Sequence, residues 1–224
     1  QDGKSVIIEY RSAEGDADRL PFLAEELVAD RVDIIVAAGG DPAIAARNAT
    51  RTIPIVMLFT PDPVMLGLVS SLSRPGGNVT GMSFMAPEIG AKRLELLKEA
   101  LPTIKRVAVL QDSSNVAGRP EYESIVMAAR QLGIRLYLVD IKGVPLRIDE
   151  AFNTLIRIHP DAMTMAVGLR VAAYSEIIPE FVLRQRIPAM FWYRSFAVAG
   201  GLLSYAPSYT KLTRRAASFV DKIL

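Results

Sequence analysis

Five short polar loops carry the residue types that could hold a small ligand. They are Gly39-Gly40-Asp41, Thr60-Pro61-Asp62, Asp112-Ser113-Ser114-Asn115, Gly168-Leu169-Arg170 and Trp192-Tyr193-Arg194, and each follows an apolar run. Ser and Asn side chains both donate and accept hydrogen bonds, and an Asp can take an ammonium group. Arg194 could pair bidentately with a carboxylate. Several loops precede helical patterns, whose first N–H groups can hold an anion. Trp192 and Tyr193 could stack on a planar ligand or cover it. Each feature has a plainer reading as well. The same polar residues cap helices, the aromatics could belong to a core, and Arg194 could bridge to a neighbouring acid.

Catalytic chemistry finds little support. The single histidine, His159, stands before Pro160 and reads as a surface turn residue with no nucleophile beside it. There is no G-x-S-x-G elbow, no phosphate-binding P-loop and no G-x-G-x-x-G. With 0 cysteines, disulfides, thiolate catalysis and cysteine metal sites are excluded. No His, Asp and Glu cluster has metal-ligand spacing, and no cofactor is implied. The formal charge is +2, from 26 basic and 24 acidic residues without a basic block, which disfavours nucleic acid as a partner. No apolar run approaches the length of a membrane span.

The elements that must position these loops alternate between two periods. Strands are expected over Ser5–Tyr10, Asp33–Ala38, Pro54–Phe59, Arg106–Leu110, Ile134–Val139, Ala162–Val167 and Pro188–Trp192, and Gly200-Gly201 introduces a further short segment, Leu202–Tyr205. Asp33–Ala38 reads as a strand buried on both faces. Helices are expected through Leu20–Val28, from Pro42 to about Asn48, and over Gly90–Leu101, with Lys92, Arg93, Lys98 and Glu99 on its surface. Others should end at Gly133, span Leu146–Ile158 and Val171–Gln185, and close the chain from Leu212 to Ile223. Thr60-Pro61-Asp62-Pro63 resembles another strand-to-helix loop.

This rhythm runs twice, which argues for an α/β chain of two doubly wound parallel-sheet lobes joined by crossover strands. The break is Ser73–Phe84, SRPGGNVTGMSF: Gly76 and Gly77 permit unusual backbone angles, and Val79-Thr80 favours an extended crossover. Asn78-Val79-Thr80 also fits a glycosylation acceptor, with nothing else to favour that reading. A second break at Tyr205-Ala206-Pro207-Ser208 could return the chain. Lobe one is then residues 1–80 with 206–224, and lobe two residues 81–205. Ligands bind outside the carboxyl ends of the strands in such sheets, which is where the five loops lie.

Four segments carry a family resemblance: IEYRSAEGDADRLPFLAEELV, ATRTIPIVMLFTPDPVMLGLVSSLSRPGGNVTG, AKRLELLKEALP and AGGLLSYAPSYTKLTRRAASFVDKIL. They resemble the ABC-transporter substrate-binding proteins that include tryptophan-binding lipoproteins. The likeness runs in order along the whole chain, with RPGGNVTG and AGGLLSYAP its most specific parts. It implies the type I periplasmic-binding-protein fold, no catalysis, and capture of a small organic solute for a membrane ABC permease. It also implies a periplasmic location, or an extracellular lipid-anchored one for the full-length precursor. Family members usually carry a signal segment, a first strand and helix before SVIIEY, and a longer tail. The chain therefore reads as a fragment whose first lobe lacks one strand, and an exposed sheet edge could then pair into a homodimer. The loops matching Asp112-Ser113 and Gly168-Leu169 often carry Asn-Pro and Asp-Pro in the family.

The expected function is capture of an amino acid or aromatic carboxylate between the lobes, which the ligand would hold closed. A ligand-sensing regulatory domain on the same fold is the alternative. The candidate ligand-binding residues are Asp41, Thr60, Asp62, Asp112, Ser113, Ser114, Asn115, Leu169, Trp192, Tyr193 and Arg194, with no metal ligands. Stacking falls to Trp192 or Tyr193, and anion binding to Arg194 and the helix N-termini. Replacing Trp192 with Ala is expected to weaken binding without unfolding the protein.

Overall fold

The structure, a computed structural model, describes residues 6–143 and 145–224. The apolar runs form two sheets in which every pairing is parallel. β1 (Ile35–Ala38), β2 (Ile55–Thr60) and β3 (Val79–Ser83) make a three-stranded sheet in that order. β4 (Arg106–Gln111), β5 (Arg135–Asp140), β6 (Ala162–Met165), β7 (Ala189–Phe191) and β8 (Leu203–Ser204) make a five-stranded sheet ordered β5-β4-β6-β7-β8. The helices are α1 (Leu20–Ala29), α2 (Gly40–Ala49), α3 (Ala86–Ala100), α4 (Arg119–Gln131), α5 (Ile148–Ile158), α6 (Ile177–Arg184), α7 (Arg194–Val198) and α8 (Tyr209–Ile223).

The continuous apolar character of β4 has a direct cause. Successive strand residues point to opposite faces, and both faces are covered. Val107 and Val109 pack with Leu94 and Leu97 of α3 and Ile125 and Ala129 of α4. Ala108 and Leu110 pack with Leu155 of α5 and Ile178, Phe181 and Val182 of α6. The smaller sheet is built likewise around β2. Ile55 and Met57 face Ala43 and Ala46 of α2, whereas Val56 and Leu58 face Ala216, Phe219 and Val220 of α8. The last helix thus lies on the first sheet.

Several expectations are corrected. Ser5 lies outside the described residues, and Val6 to Tyr10 form no strand beyond an isolated bridge at Val6; Ile7 and Tyr10 are 85% and 80% exposed. Beyond that bridge no ladder forms along this stretch among the described residues, and its apolar composition does not become a strand. β1 is buried on one face only: Ile35 and Ala37 are covered, but Val36 is 48% exposed, because α8 covers β2 rather than β1. The loop after Thr60 leads to turns instead of a helix. The segment from Val171 divides into a 3-10 turn, Leu169–Tyr174, and α6. Pro179 explains the restart, since proline is tolerated in the first turn of a helix but not in its interior. The short α7 was not anticipated, because five residues are too few to display a helical period. Arg93, expected on the surface of α3, is fully buried against Glu121 of α4.

The Pro-Gly-Gly stretch ends the loop before β3. Gly76 adopts φ 79°, which favours glycine, and Ser70 N–H donates to Pro75 O at 3.0 Å. Asn78 is a structural clamp: its Nδ2 donates to Ile53 O at 2.7 Å and Thr50 O at 3.3 Å. The chain passes from one sheet to the other between β3 and α3, and returns between β8 and α8. Ser208 caps α8 by accepting from Lys211 N–H.

Candidate functional site

The loops at the carboxyl ends of the strands converge where the two sheets face each other. Asp41 sits in the first turn of α2, and its Oδ1 accepts from the N–H of Ala117 at 3.3 Å. Ala117 belongs to a 3-10 turn, Val116–Gly118, that follows β4 in the other sheet. Burial raises the Asp41 carboxyl above the ordinary carboxylate range, and the nearby Asp112 charge adds to this; the Ala117 N–H and Arg170 pull the other way. Gly40 is buried beside Ala117, with no room for a side chain between them.

Asp112 and Arg170 form the polar centre on the second sheet. Asp112 is buried, and its Oδ2 accepts from Arg170 Nη1 at 3.1 Å. Its Oδ1 accepts from Ser114 N–H at 3.1 Å and from the Ser114 hydroxyl. Arg170 also donates to Ser114 Oγ at 3.2 Å and to the carbonyl of Gly143. Ser113 is held by Asp140, which accepts its N–H at 3.1 Å and its hydroxyl at 2.7 Å. Partial burial alone would raise Asp140; these bonds, with the Lys142 N–H and charge, bring it below the usual carboxylate range. Asn115 Nδ2 donates to Val167 O at 2.9 Å and so joins the loops after β4 and β6.

An aromatic cluster occupies the junction of the sheets. Tyr209, first residue of α8, lies 4.7 Å from Phe59, 5.9 Å from Trp192 and 5.3 Å from Tyr193, measured between ring centres. Tyr193 stacks on Trp192 at 5.3 Å. Phe59 carries φ 54°, a left-handed conformation that costs a non-glycine residue energy and is found mostly where structure or function demands it. Burial raises the Tyr209 phenol well above its usual range. Thr60 Oγ1 and Trp192 Nε1 are buried at the ends of β2 and β7 and have no hydrogen-bond partner among the described residues.

The expected site residues therefore fall into distinct settings. Asp41, Asp112, Ser114 and Asn115 are brought together around the facing loops. Thr60, Trp192 and Tyr193 lie in or beside the aromatic junction. Trp192 is only 1% exposed, so it is also a core residue, and its loss should cost folding stability as well as binding. Asp62 is engaged locally, accepting from Val64 and Met65 N–H at 3.0 Å each. Arg194 is exposed and forms no ion pair among the described residues. The backbone of Leu169 begins the 3-10 turn, and its side chain lies outside the described ones. Arg170 was missed among the candidates, although it adjoins Leu169 in the same loop. An open depression of about 650 Å³ lies at the opposite, amino ends of β4 and β5, where Asp161 accepts from Lys105 and Arg106 N–H at 2.8 Å. Among the described residues there is no metal-binding cluster, and no helix is long and apolar enough to cross a membrane.

The family model for ABC transporter substrate binding protein matches residues 1–224. A curated tyrosine-binding protein of Clostridioides difficile (strain R20291) is 29% identical over 227 residues, covering 100% of this chain. The chain spans 64% of that relative's length. The crystal structure of a conserved domain protein from Vibrio cholerae is 26% identical and superposes with a TM-score of 0.91 over 100% of this chain and 74% of its own. A domain from Streptococcus pneumonia in complex with L-Trp is 23% identical, with a TM-score of 0.86 over 97% of this chain and 74% of its own. A ligand-free, open substrate binding protein with adhesive properties from Clostridium difficile is 27% identical, with a TM-score of 0.63 over 100% of this chain and 74% of its own.

Proposed function

This chain belongs to the ABC transporter substrate binding protein family, a family of solute-binding proteins and not of enzymes, and we propose that it captures an amino acid or aromatic carboxylate between its two sheets. Lobe one in this reading is residues 1–80 with 206–224, and lobe two residues 81–205. The observation that carries it is the meeting of strand-end loops from both sheets, joined by Asp41 and Ala117, beside the buried Thr60 Oγ1 and Trp192 Nε1, which lack partners among the described residues. A buried donor left unpaired costs about 1–3 kcal/mol, which a ligand hydrogen bond recovers. Trp192 Nε1 and Thr60 Oγ1 would meet ligand oxygens, Tyr193 would offer its ring, and Asp41 would receive an ammonium group. Arg170 takes the anion-binding role expected of Arg194, since it already lies among the facing loops.

The closeness of the loops supports a ligand-favoured, closed arrangement. So does the better superposition on the L-Trp complex than on the open protein, although the latter is nearer in sequence. Family members are extracytoplasmic and hand their solutes to an ABC permease. For this chain we extend that to delivery in a bacterial periplasm, or at the cell surface by a lipid-anchored form, and to pairing as a homodimer. Titration calorimetry with L-tyrosine, L-tryptophan and benzoate tests the ligand class. Saturable binding by one of the three, lost on Asp41→Ala or Arg170→Ala, is expected. No binding by any of them overturns the proposed class.

A further inference from the structure

Beneath the facing loops lies an ion pair that nothing in solute capture by itself requires. Arg93 of α3 and Glu121 of α4 are both fully buried and directly paired. Burial pushes the Glu121 carboxyl up, and the Arg93 charge opposes it. A buried pair is poor evidence for stability, because apolar residues of similar volume often serve as well or better. What apolar residues cannot do is hold polar backbone groups, and this pair holds them in two separate segments. Glu121 Oε2 accepts from Val167 N–H at 2.7 Å. The same residue's carbonyl accepts from Asn115, so the Val167 backbone is clamped on both sides immediately before Gly168-Leu169-Arg170. Arg93 Nη1 donates to Tyr205 O at 3.4 Å, and Nη2 reaches Met165 O at 3.5 Å. Tyr205 starts the passage from β8 back to α8 on the other sheet. Gly90 lets the two helices approach, since a Cβ there would stand 2.6 Å from Glu121 Cγ.

We infer that Arg93 and Glu121 are positioning residues, coupling the loop that carries Arg170 to the crossover segment at Tyr205. Motion of one sheet against the other must flex the crossover, and the pair passes that displacement to the loop. The inference rests on the cleft reading for its purpose, but its test does not need a ligand.

Hydrogen exchange is compared between the ligand-free protein and Arg93→Met/Glu121→Leu, which removes both charges together. The expected variant is folded, with the amides of Val107–Leu110 as protected as before. Exchange at Val167, whose N–H loses its charged acceptor, rises by about tenfold or more, and exchange at Tyr205, whose N–H donates to Phe191 O at 3.0 Å, rises with it as the segment loses the Arg93 anchor on its carbonyl. Unchanged exchange at both amides, or a rise at Val167 alone, overturns the coupling. If the double variant does not fold, Glu121→Gln is read in the same way; its single amide oxygen cannot accept from both Val167 N–H and Arg93, which Glu121 holds with two oxygens, so the pairing is broken while the shape is kept. A rise at both amides then supports the inference, and its absence overturns it. Because no solute is added, a failure of L-tyrosine, L-tryptophan and benzoate to bind leaves this result standing on its own.

Discussion

Gly40→Ala should prop the two sheets apart. The added Cβ would stand 2.3 Å from Ala117 Cβ, with Leu66 Cδ1 at 3.2 Å and Pro61 Cδ at 3.3 Å. Carbon atoms settle at about 3.5–4.0 Å, so the first contact is short by more than about 1 Å. Gly40 has no left-handed backbone angle that would exclude alanine; the positive φ of 114° belongs to Gly39. Within α2 the exchange is even favourable, by up to about 1 kcal/mol. The cost falls mainly on the closed arrangement, because the Leu66 and Pro61 contacts within the same lobe need only a few tenths of an ångström of give; it is about 1–3 kcal/mol for an overpacked contact. That energy corresponds to about 5- to 150-fold in the balance of closed and open states, and in affinity for a solute that favours closure. Small-angle scattering should show a larger radius of gyration, and calorimetry a weaker affinity with an unchanged thermal midpoint. Gly40→Ala/Ala117→Gly should restore both, as expected for residues in direct contact. A lowered midpoint with unchanged scattering would refute the reasoning, by placing the strain inside one lobe.

Trp192→Ala should lose about 3–5 kcal/mol of folding stability in urea titrations, because a large core ring is removed. Trp192→Phe should lose less and yet bind solute more weakly, through the missing Nε1–H. Asp41→Asn tests the raised carboxyl. An acid whose pKa is higher in the folded state binds protons more tightly there. Stability is therefore greatest below its ordinary pKa and declines as pH rises through the raised folded value. The Asn variant should show a shallower decline over that window in denaturation series. Asp140→Asn should act oppositely. Its lowered carboxyl contributes stability above the ordinary pKa that disappears as pH falls through the folded value, and the variant should lack that component. Ser208→Ala should cost about 1 kcal/mol by uncapping α8, measured by chemical denaturation.

Much of the architecture was open to reading because it follows from local patterns. β4 and β6 are apolar on both faces, Gly133 stops α4 and Ser208 starts α8, and each of these signals lies within a few residues. The weaker cases show where local patterns fail. Ser5–Tyr10 has strand composition, but a strand exists only through a partner. Val36 resembles its neighbours, yet its exposure depends on where a helix more than a hundred residues later comes to rest. Pro179 divided a segment whose apolar period looked continuous.

The loops themselves were legible because strand ends in parallel sheets are the natural place for ligands. Their division of labour was not. Asp62 is committed to local hydrogen bonds and Ser113 to Asp140, 27 positions away, while Arg170 reaches Asp112, 58 positions away, and the carbonyl of Gly143. Arg93 resembles any charged residue on an amphipathic helix until Glu121 is folded against it. The alternation of strand and helix, the two-part rhythm and the polar strand ends are properties of short windows, and the chain specifies them by itself. Which charges are buried, which loop faces which, and which aromatics meet at the junction depend on groups far apart in sequence, and only the packing of the two sheets decides them.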